Sequence, residues 1–241
     1  MREIQDILQK TDHRPWPMPQ KPWVYYQEWN EAVFLHFEIP FELLRKHVPE
    51  RLALDSFDGA YFISVVAFTM QKIRPRYLPS LSFVSDFHEI NVRTYVEKEG
   101  KKGVYFINIE AEKTFAVWVA RTLSGLPYEK SDMQRKEGYY CSQHPAKNFT
   151  FDIDFKVGSP IVQKKAFDLW VTERYCLYLD LDEKLYRYEI HHKEWELRQL
   201  HPQKINIRYD LGNMVLEENN IHSMQYSKGV KVVSWSRNRI A

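Results

Sequence analysis

The chain has 241 residues, of which 44% are hydrophobic, 15% aromatic and 27% charged, with a formal net charge of +2. That length and balance suit one large β-rich globular unit or two small ones, and the aromatic share points to strands around a large core. Dispersed basic residues at near-zero net charge exclude a phosphate-tracking nucleic-acid surface, no apolar run reaches the roughly 20 residues of a membrane helix, and two cysteines (Cys141, Cys176) in no CxxC exclude a disulfide framework.

The N-terminal MREIQDILQK is charged and lacks the apolar stretch of a signal peptide, so the expectation is a soluble cytoplasmic protein. Ile4, Ile7 and Leu8 predict a short amphipathic helix over 3–10. RPWPMPQKP follows, with prolines that forbid a central strand. It reads as an extended strap to residue 22. Its tryptophans Trp16 and Trp23 pack on the chain's own body or on a second copy, in which case the protein is a homo-oligomer. Residues 23–29 and 32–37 read as strands with a turn near Asn30. Pro40 is placed as the first residue of a helix over PFELLRKHV. Asp58-Gly59 is a turn before a strand over 61–71, and Pro75 and Pro79 mark a loop over 72–80.

FHEINVRTYVEKEGKKGVYFINIE predicts a hairpin closed by Glu99-Gly100. In that register Glu89, Asn91, Arg93 and Tyr95 share a face with Phe106, Asn108 and Glu110. Ile90, Val92, Thr94 and Val96 share the other with Tyr105, Ile107 and Ile109. The polar face is either a solvated sheet surface or the lining of a closed cavity. Thr114 then caps a helix over 115–123, with Gly125 just past its end. Residues 133–141 and 149–157 read as an antiparallel pair, and Gly158-Ser159-Pro160 as its break. A second hairpin turns near Asp182-Glu183, placing Tyr175, Leu177 and Leu179 with Tyr186, Tyr188 and Ile190, and Glu173 with His192. The tail 221–240 reads as two final strands. Few short helices and frequent strands give a mainly β fold of one domain over 1–241, a barrel or sandwich.

The motif search is largely negative. No GxSxG, phosphate loop or HExxH is present. Cys141-x-x-His144 is half a zinc motif, and adjacent His191 and His192 point to opposite faces of a strand. No cofactor or metal is expected. Glu173 with His192 is either an acid–base pair or a structural ion pair.

Several segments resemble the YqjF-like family of uncharacterised proteins: RPWPMPQKPW, LRKHVPERLALD, FHEINVRTYV, GVYF, AR…LPY, TERYCLY, HHKEW and SKGV. That family is similar in fold to acetoacetate decarboxylase. The resemblance implies a closed, cone-like antiparallel β-sheet with short peripheral helices around a buried cavity, and Glu89, Asn91 and Arg93 lining it. Glu89 falls where the decarboxylase has its cavity glutamate, and Arg121 and Pro127 match an arginine and a proline. The decarboxylase arginine proposed to hold the substrate carboxylate falls near Asn30. The adjacent lysines that follow the proline in the decarboxylase are Tyr128 and Glu129 here. A Schiff base needs an amine that is neutral near pH 7, and acetoacetate decarboxylase is a known case of a lysine tuned in this way. Tyr128 forms no imine, Glu129 would raise a neighbouring lysine's pKa, and Lys130 lies about 6–7 Å farther along the strand.

Three readings follow. The first is a small-molecule-binding protein with Glu89, Asn91, Arg93, Tyr128, Glu129 and Asn30 as polar contacts, without Schiff-base decarboxylase activity. The second is an enzyme using Glu89 as general acid or base with Tyr128 as proton donor, the Glu89 pKa being raised by burial and lowered by Arg93. The third is a structural or interaction protein with a filled core.

Overall fold

The computed structural model describes residues 2–113 and 125–240. The helix expected over 115–123, its Thr114 cap and Arg121 lie outside the described residues. The strands are β1 (Tyr25–Glu38), β2 (Ala53–Leu54), β3 (Phe62–Pro75), β4 (Phe87–Lys98), β5 (Lys101–Ala111), β6 (Tyr128–Lys130), β7 (Asp132–Lys136), β8 (Tyr139–Gln143), β9 (Phe149–Pro160), β10 (Cys176–Leu181), β11 (Lys184–His191), β12 (Leu197–Asp210), β13 (Val215–Glu217), β14 (Ile221–Ser234) and β15 (Asn238–Arg239). The helices are α1 (Arg2–Gln9), α2 (Phe41–Leu44), α3 (Ser82–Ser85) and α4 (Ala166–Thr172).

The fifteen strands of the described residues join one sheet, whose main path runs β15-β11-β10-β5-β4-β3-β1-β14-β12-β9-β8-β7. β11 also pairs with β14, through Ile190 opposite Ser234 and His191 opposite Val233. The sheet therefore closes on itself through β11-β10-β5-β4-β3-β1-β14. Most pairs are antiparallel, but β5 runs parallel to both β10 and β6, so the sheet is mixed rather than wholly antiparallel.

Both faces of the ring are buried. Phe34, Val66, Phe68, Ile109, Ile190 and Val232, drawn from β1, β3, β5, β11 and β14, pack together inside. Outside, Leu35, Val65 and Val92 pack under Tyr140, Phe151 and Ile207, so that β8, β9 and β12 fold back over the ring. α4 covers one end, where Val171 meets Phe62, Tyr95 and Val104.

Two hairpins have the expected turns, the second with its expected register throughout and the first as far as Arg93 opposite Phe106. Lys98 pairs with Lys101 around Glu99-Gly100, and Leu181 with Lys184 around Asp182-Glu183. All four turn residues have positive φ, as a two-residue turn matched to strand twist requires.

Elsewhere bulges replace turns. The break near Asn30 is no turn, because β1 runs through it. Glu31 adopts φ 55°, and β1 there carries one residue more than β3. The inner face changes parity at this point: Ala32 and Phe34 point inward, and so does Trp29. The tail is likewise one long strand plus the short β15. Gly229 bends it at φ 131°, where an added Cβ would lie 2.3 Å from the Trp29 carbonyl oxygen. β3 runs on to Pro75 and β9 to Pro160, past the expected breaks. Residues 133–141 are not one strand but most of the β7–β8 hairpin, turned at Gly138 with φ 69°. Pro40 precedes α2 as its cap instead of opening it, and β12, β13 and α4 are additional elements.

The strap lies on its own body. The Arg14 guanidinium donates to the Ile190 carbonyl oxygen at 2.6 Å and to Glu189 at 2.8 Å, and the Trp16 indole donates to Glu189 at 3.1 Å. Among the described residues no helix is long and apolar enough to cross a membrane.

Candidate functional site

Three rows of directly opposed residues cross the ring wall. His36 faces Ser64, Ser64 faces Arg93 and Arg93 faces Phe106; Phe34 faces Val66, Val66 faces Asn91 and Asn91 faces Ile109; Phe68 faces Glu89 and Glu89 faces Ala111. Residues opposed across strands share a face. Because Phe34, Val66, Phe68, Ile109 and Ala111 belong to the inner cluster, Glu89, Asn91 and Arg93 point into the ring.

The expected partnership of Glu89 with Asn108 and Glu110 is overturned. Arg93 pairs with Phe106 but Val92 pairs with Asn108, so Ile107 is an extra residue in β5. Past this bulge every side chain of β5 changes face. Asn108 and Glu110 turn outward, where Asn108 accepts from Lys147 at 3.1 Å and Glu110 from Ser142 at 3.3 Å. Ile109 and Ala111 take their places, which leaves Glu89 on a more apolar wall.

Tyr128 completes the inner group. β6 pairs with β5 through Tyr128 opposite Ile109, and the Tyr128 hydroxyl donates to Glu89 Oε2 at 2.9 Å. The Asn91 amide donates to Glu89 Oε1 at 3.3 Å. Glu89 is 3% exposed, and burial pushes its carboxyl from 4.5 up to about 7, against the lowering effect of these two donors. Burial and the neighbouring Glu89 also push Tyr128 well above its ordinary value. The pull of Arg93 on Glu89 expected from the sequence is absent from these causes. Four residues along a strand separate the two by about 13 Å.

Arg93 is 7% exposed, donates to the Val171 carbonyl oxygen at 3.3 Å, and its Nε has no partner among the described residues. Beside it runs a hydrogen-bonded network that ends on Asp168. His36 contacts Ser64 Oγ at 2.6 Å and Gln225 Oε1 at 2.8 Å, and Gln225 donates to Asp168 at 2.7 Å. Burial lowers His36 to about 3 and His192 to about 4, so both are uncharged at neutral pH. His192 stands against Trp29, Trp195 and Tyr175.

The remaining candidates lie elsewhere. Glu129 alternates away from Tyr128 and pairs with Lys147 at 2.6 Å and His144 at 3.2 Å. The β1 bulge puts Asn30 on the outer face, where it donates to Gln71 at 2.7 Å and to Glu28 at 3.4 Å. Glu173 does not pair with His192; it accepts from the Trp195 backbone N–H at 3.0 Å and from the Tyr175 hydroxyl. His191 faces away from His192 and bonds the Ile7 carbonyl oxygen at 3.0 Å. His36 and Ser64 carried no sequence signal, since only strand pairing brings them to Arg93, whereas Tyr95 follows from alternation along β4. None of the chain's lysines is buried. Lys130 is exposed and pairs with Asp132 at 3.3 Å.

A cleft of about 510 Å³ indents the wall where β5 changes partner from β10 to β6, between Tyr105, Phe106, Pro127, Leu179 and Arg237. Phe106 reaches from this cleft to the inner cluster.

Comparison with known proteins agrees with this architecture. The model of DUF2071, described as an uncharacterized conserved protein (COG2071), matches residues 26–231. The uncharacterized protein YqjF of Bacillus subtilis (strain 168) is 33% identical over 226 residues, covering 90% of this chain and 93% of that one. The enduracididine biosynthesis enzyme MppR complexed with pyruvate superposes with a TM-score of 0.61 at 11% identity, over 94% of this chain and 93% of that one. An acetoacetate decarboxylase-like enzyme from Sphingomonas wittichii RW1 gives 0.59 at 13% identity, over 95% and 97%. Acetoacetate decarboxylase from Legionella pneumophila gives 0.59 at 13% identity, over 95% and 94%. At these identities the solved structures share the fold.

Proposed function

This chain belongs to the DUF2071 family of uncharacterized conserved proteins, and from that premise we propose that it binds a small organic molecule inside the ring, in the cytoplasm, with Glu89 and Tyr128 as the polar anchor. The observation that carries this reading is the Glu89 carboxyl. It sits on an inner wall of Phe68, Ile109 and Ala111, holds a tyrosine hydroxyl at 2.9 Å, and has a pKa of about 7. A few convergent polar groups on apolar walls is the usual make-up of a small-molecule site. A neighbour of the same fold, MppR, is described complexed with pyruvate, which supports a ligand of that size.

The reading excludes imine chemistry. A Schiff-base lysine must shed its proton near neutrality, which desolvation or a neighbouring cation achieves. Every lysine here is at least partly exposed, and the position after Pro127 is a tyrosine. A second reading, general acid–base catalysis by Glu89, is favoured by that same pKa, because a group half-protonated at neutral pH serves in both directions.

The test uses acetoacetate and pyruvate with borohydride, followed by intact mass measurement, beside a melting-temperature screen of small metabolites. The expected result is no covalent adduct, and a ligand-dependent melting shift that Glu89→Gln and Tyr128→Phe both reduce. A lysine adduct overturns the exclusion of imine chemistry. A ligand shift untouched by both substitutions overturns the site. Turnover of a screen compound that Glu89→Gln abolishes establishes the catalytic reading.

A further inference from the structure

We infer that Arg93 is the counter-charge for a carboxylate on the molecule bound in the ring, so that the ligand class is a small organic acid carrying a second polar group. This rests on the binding reading above and adds the ligand's charge to it.

The buried arginines supply the contrast. Arg14 meets Glu189 at 2.8 Å and Arg174 meets Asp55 at 2.6 Å. Arg93 is buried as they are, yet among the described residues it has no acidic partner. Residues 114–124, TFAVWVARTLS, contain no aspartate or glutamate. Its bond to a peptide oxygen and its Tyr95 neighbour leave a whole positive charge uncompensated. Burying an unpaired charge costs several kcal/mol, and a guanidinium does not escape that cost by losing its proton. Its planar fork is suited to a carboxylate.

The surroundings reinforce the point. His36 and His192 face this charge and are neutral, so neither competes for an anion. Glu89 cannot serve as the missing partner, because it lies about 13 Å along the strand and holds Tyr128. Long side chains from both ends shorten that span to the reach of a small molecule. The carboxylate of such a molecule meets Arg93, and a hydroxyl, oxo or amide group meets Glu89 and Tyr128.

The experiment sets C3–C8 oxo- and hydroxy-carboxylic acids against their primary amides, measuring melting shifts and then Kd by calorimetry, on wild type, Arg93→Met and Arg93→Lys. Sodium chloride at equal ionic strength is the control. The expected result is that wild type binds at least one acid at least tenfold more tightly than its amide. Arg93→Met abolishes that preference, and Arg93→Lys retains part of it. Ligand-free Arg93→Met melts no lower than wild type, since it sheds an unpaired charge. Amides binding as tightly as acids, or an acid preference that survives Arg93→Met, overturns the role of Arg93 and leaves the pocket standing. Failure of both series to bind wild type overturns the binding reading itself. The acid-over-amide comparison is made on the unaltered protein, so it stands even if both variants misfold.

Discussion

Replacing Glu89 by Gln tests the interior environment without any ligand. The folded carboxyl titrates at about 7 against an ordinary 4.5. Below pH 4.5 it is protonated in both states, and folding is unaffected. Between 4.5 and 7 the unfolded chain releases the proton while the folded chain keeps it, so stability falls as pH rises. Above 7 the loss is constant. That interval, at about 1.4 kcal/mol per pH unit, amounts to roughly 3 kcal/mol. Glutamine has no proton to lose. The stability of Glu89→Gln minus that of wild type should therefore climb by roughly 3 kcal/mol between pH 4.5 and 7.5 and level off on either side. The neutral histidines work in the opposite sense. His36 and His192 are lowered from 6.5 to about 3 and about 4, so their contribution is full above 6.5 and lost as pH falls. Both proteins share that slope, and it cancels in the difference. Urea unfolding followed by tryptophan fluorescence across this range supplies the measurement. A difference that stays flat with pH would mean that Glu89 meets water, and the proposed site would be lost.

Two further substitutions probe the wall. Gly103→Ala places a Cβ 2.5 Å from the Cys176 carbonyl oxygen and 2.6 Å from its sulfur. It should cost about 1–3 kcal/mol or more in urea unfolding by prising β10 from β5; an unchanged midpoint would contradict that close approach. Deleting Ile107 takes out the extra residue and leaves Asn108 opposite Val92 and Glu110 opposite Ile90, still facing outward. The expected product keeps a single cooperative urea transition and binds no hydrophobic dye, and loss of that transition would refute the register.

The sequence disclosed those features that local pattern controls. Glu99-Gly100 and Asp182-Glu183 were legible because paired strands of known length leave two residues between them. The inward placement of Glu89, Asn91 and Arg93 rested on the family resemblance, since alternation alone fits a solvated face as well. Bulges were not legible. Phe106-Ile107-Asn108-Ile109 lies between two buried faces, so an apolar residue on either side satisfies the pattern, and no alternation reveals the extra Ile107. At Asn30-Glu31 the polar break marked a real irregularity, but the flanking strands continue through it. β12 hid behind Pro202, which sits at a register shift where a strand tolerates proline.

The strap that crosses β11 bears on how the protein is made. Arg14 grips Ile190 across 176 positions of sequence, and the seam beneath it is only two residue pairs long. During synthesis the tryptophans of the strap leave the ribosome early and wait for a partner strand made more than 150 residues later. Such distant contacts slow folding and leave apolar surface uncovered meanwhile. The latch therefore cannot be set before β11 has emerged, and nascent chains halted before that point carry the strap's apolar surface uncovered.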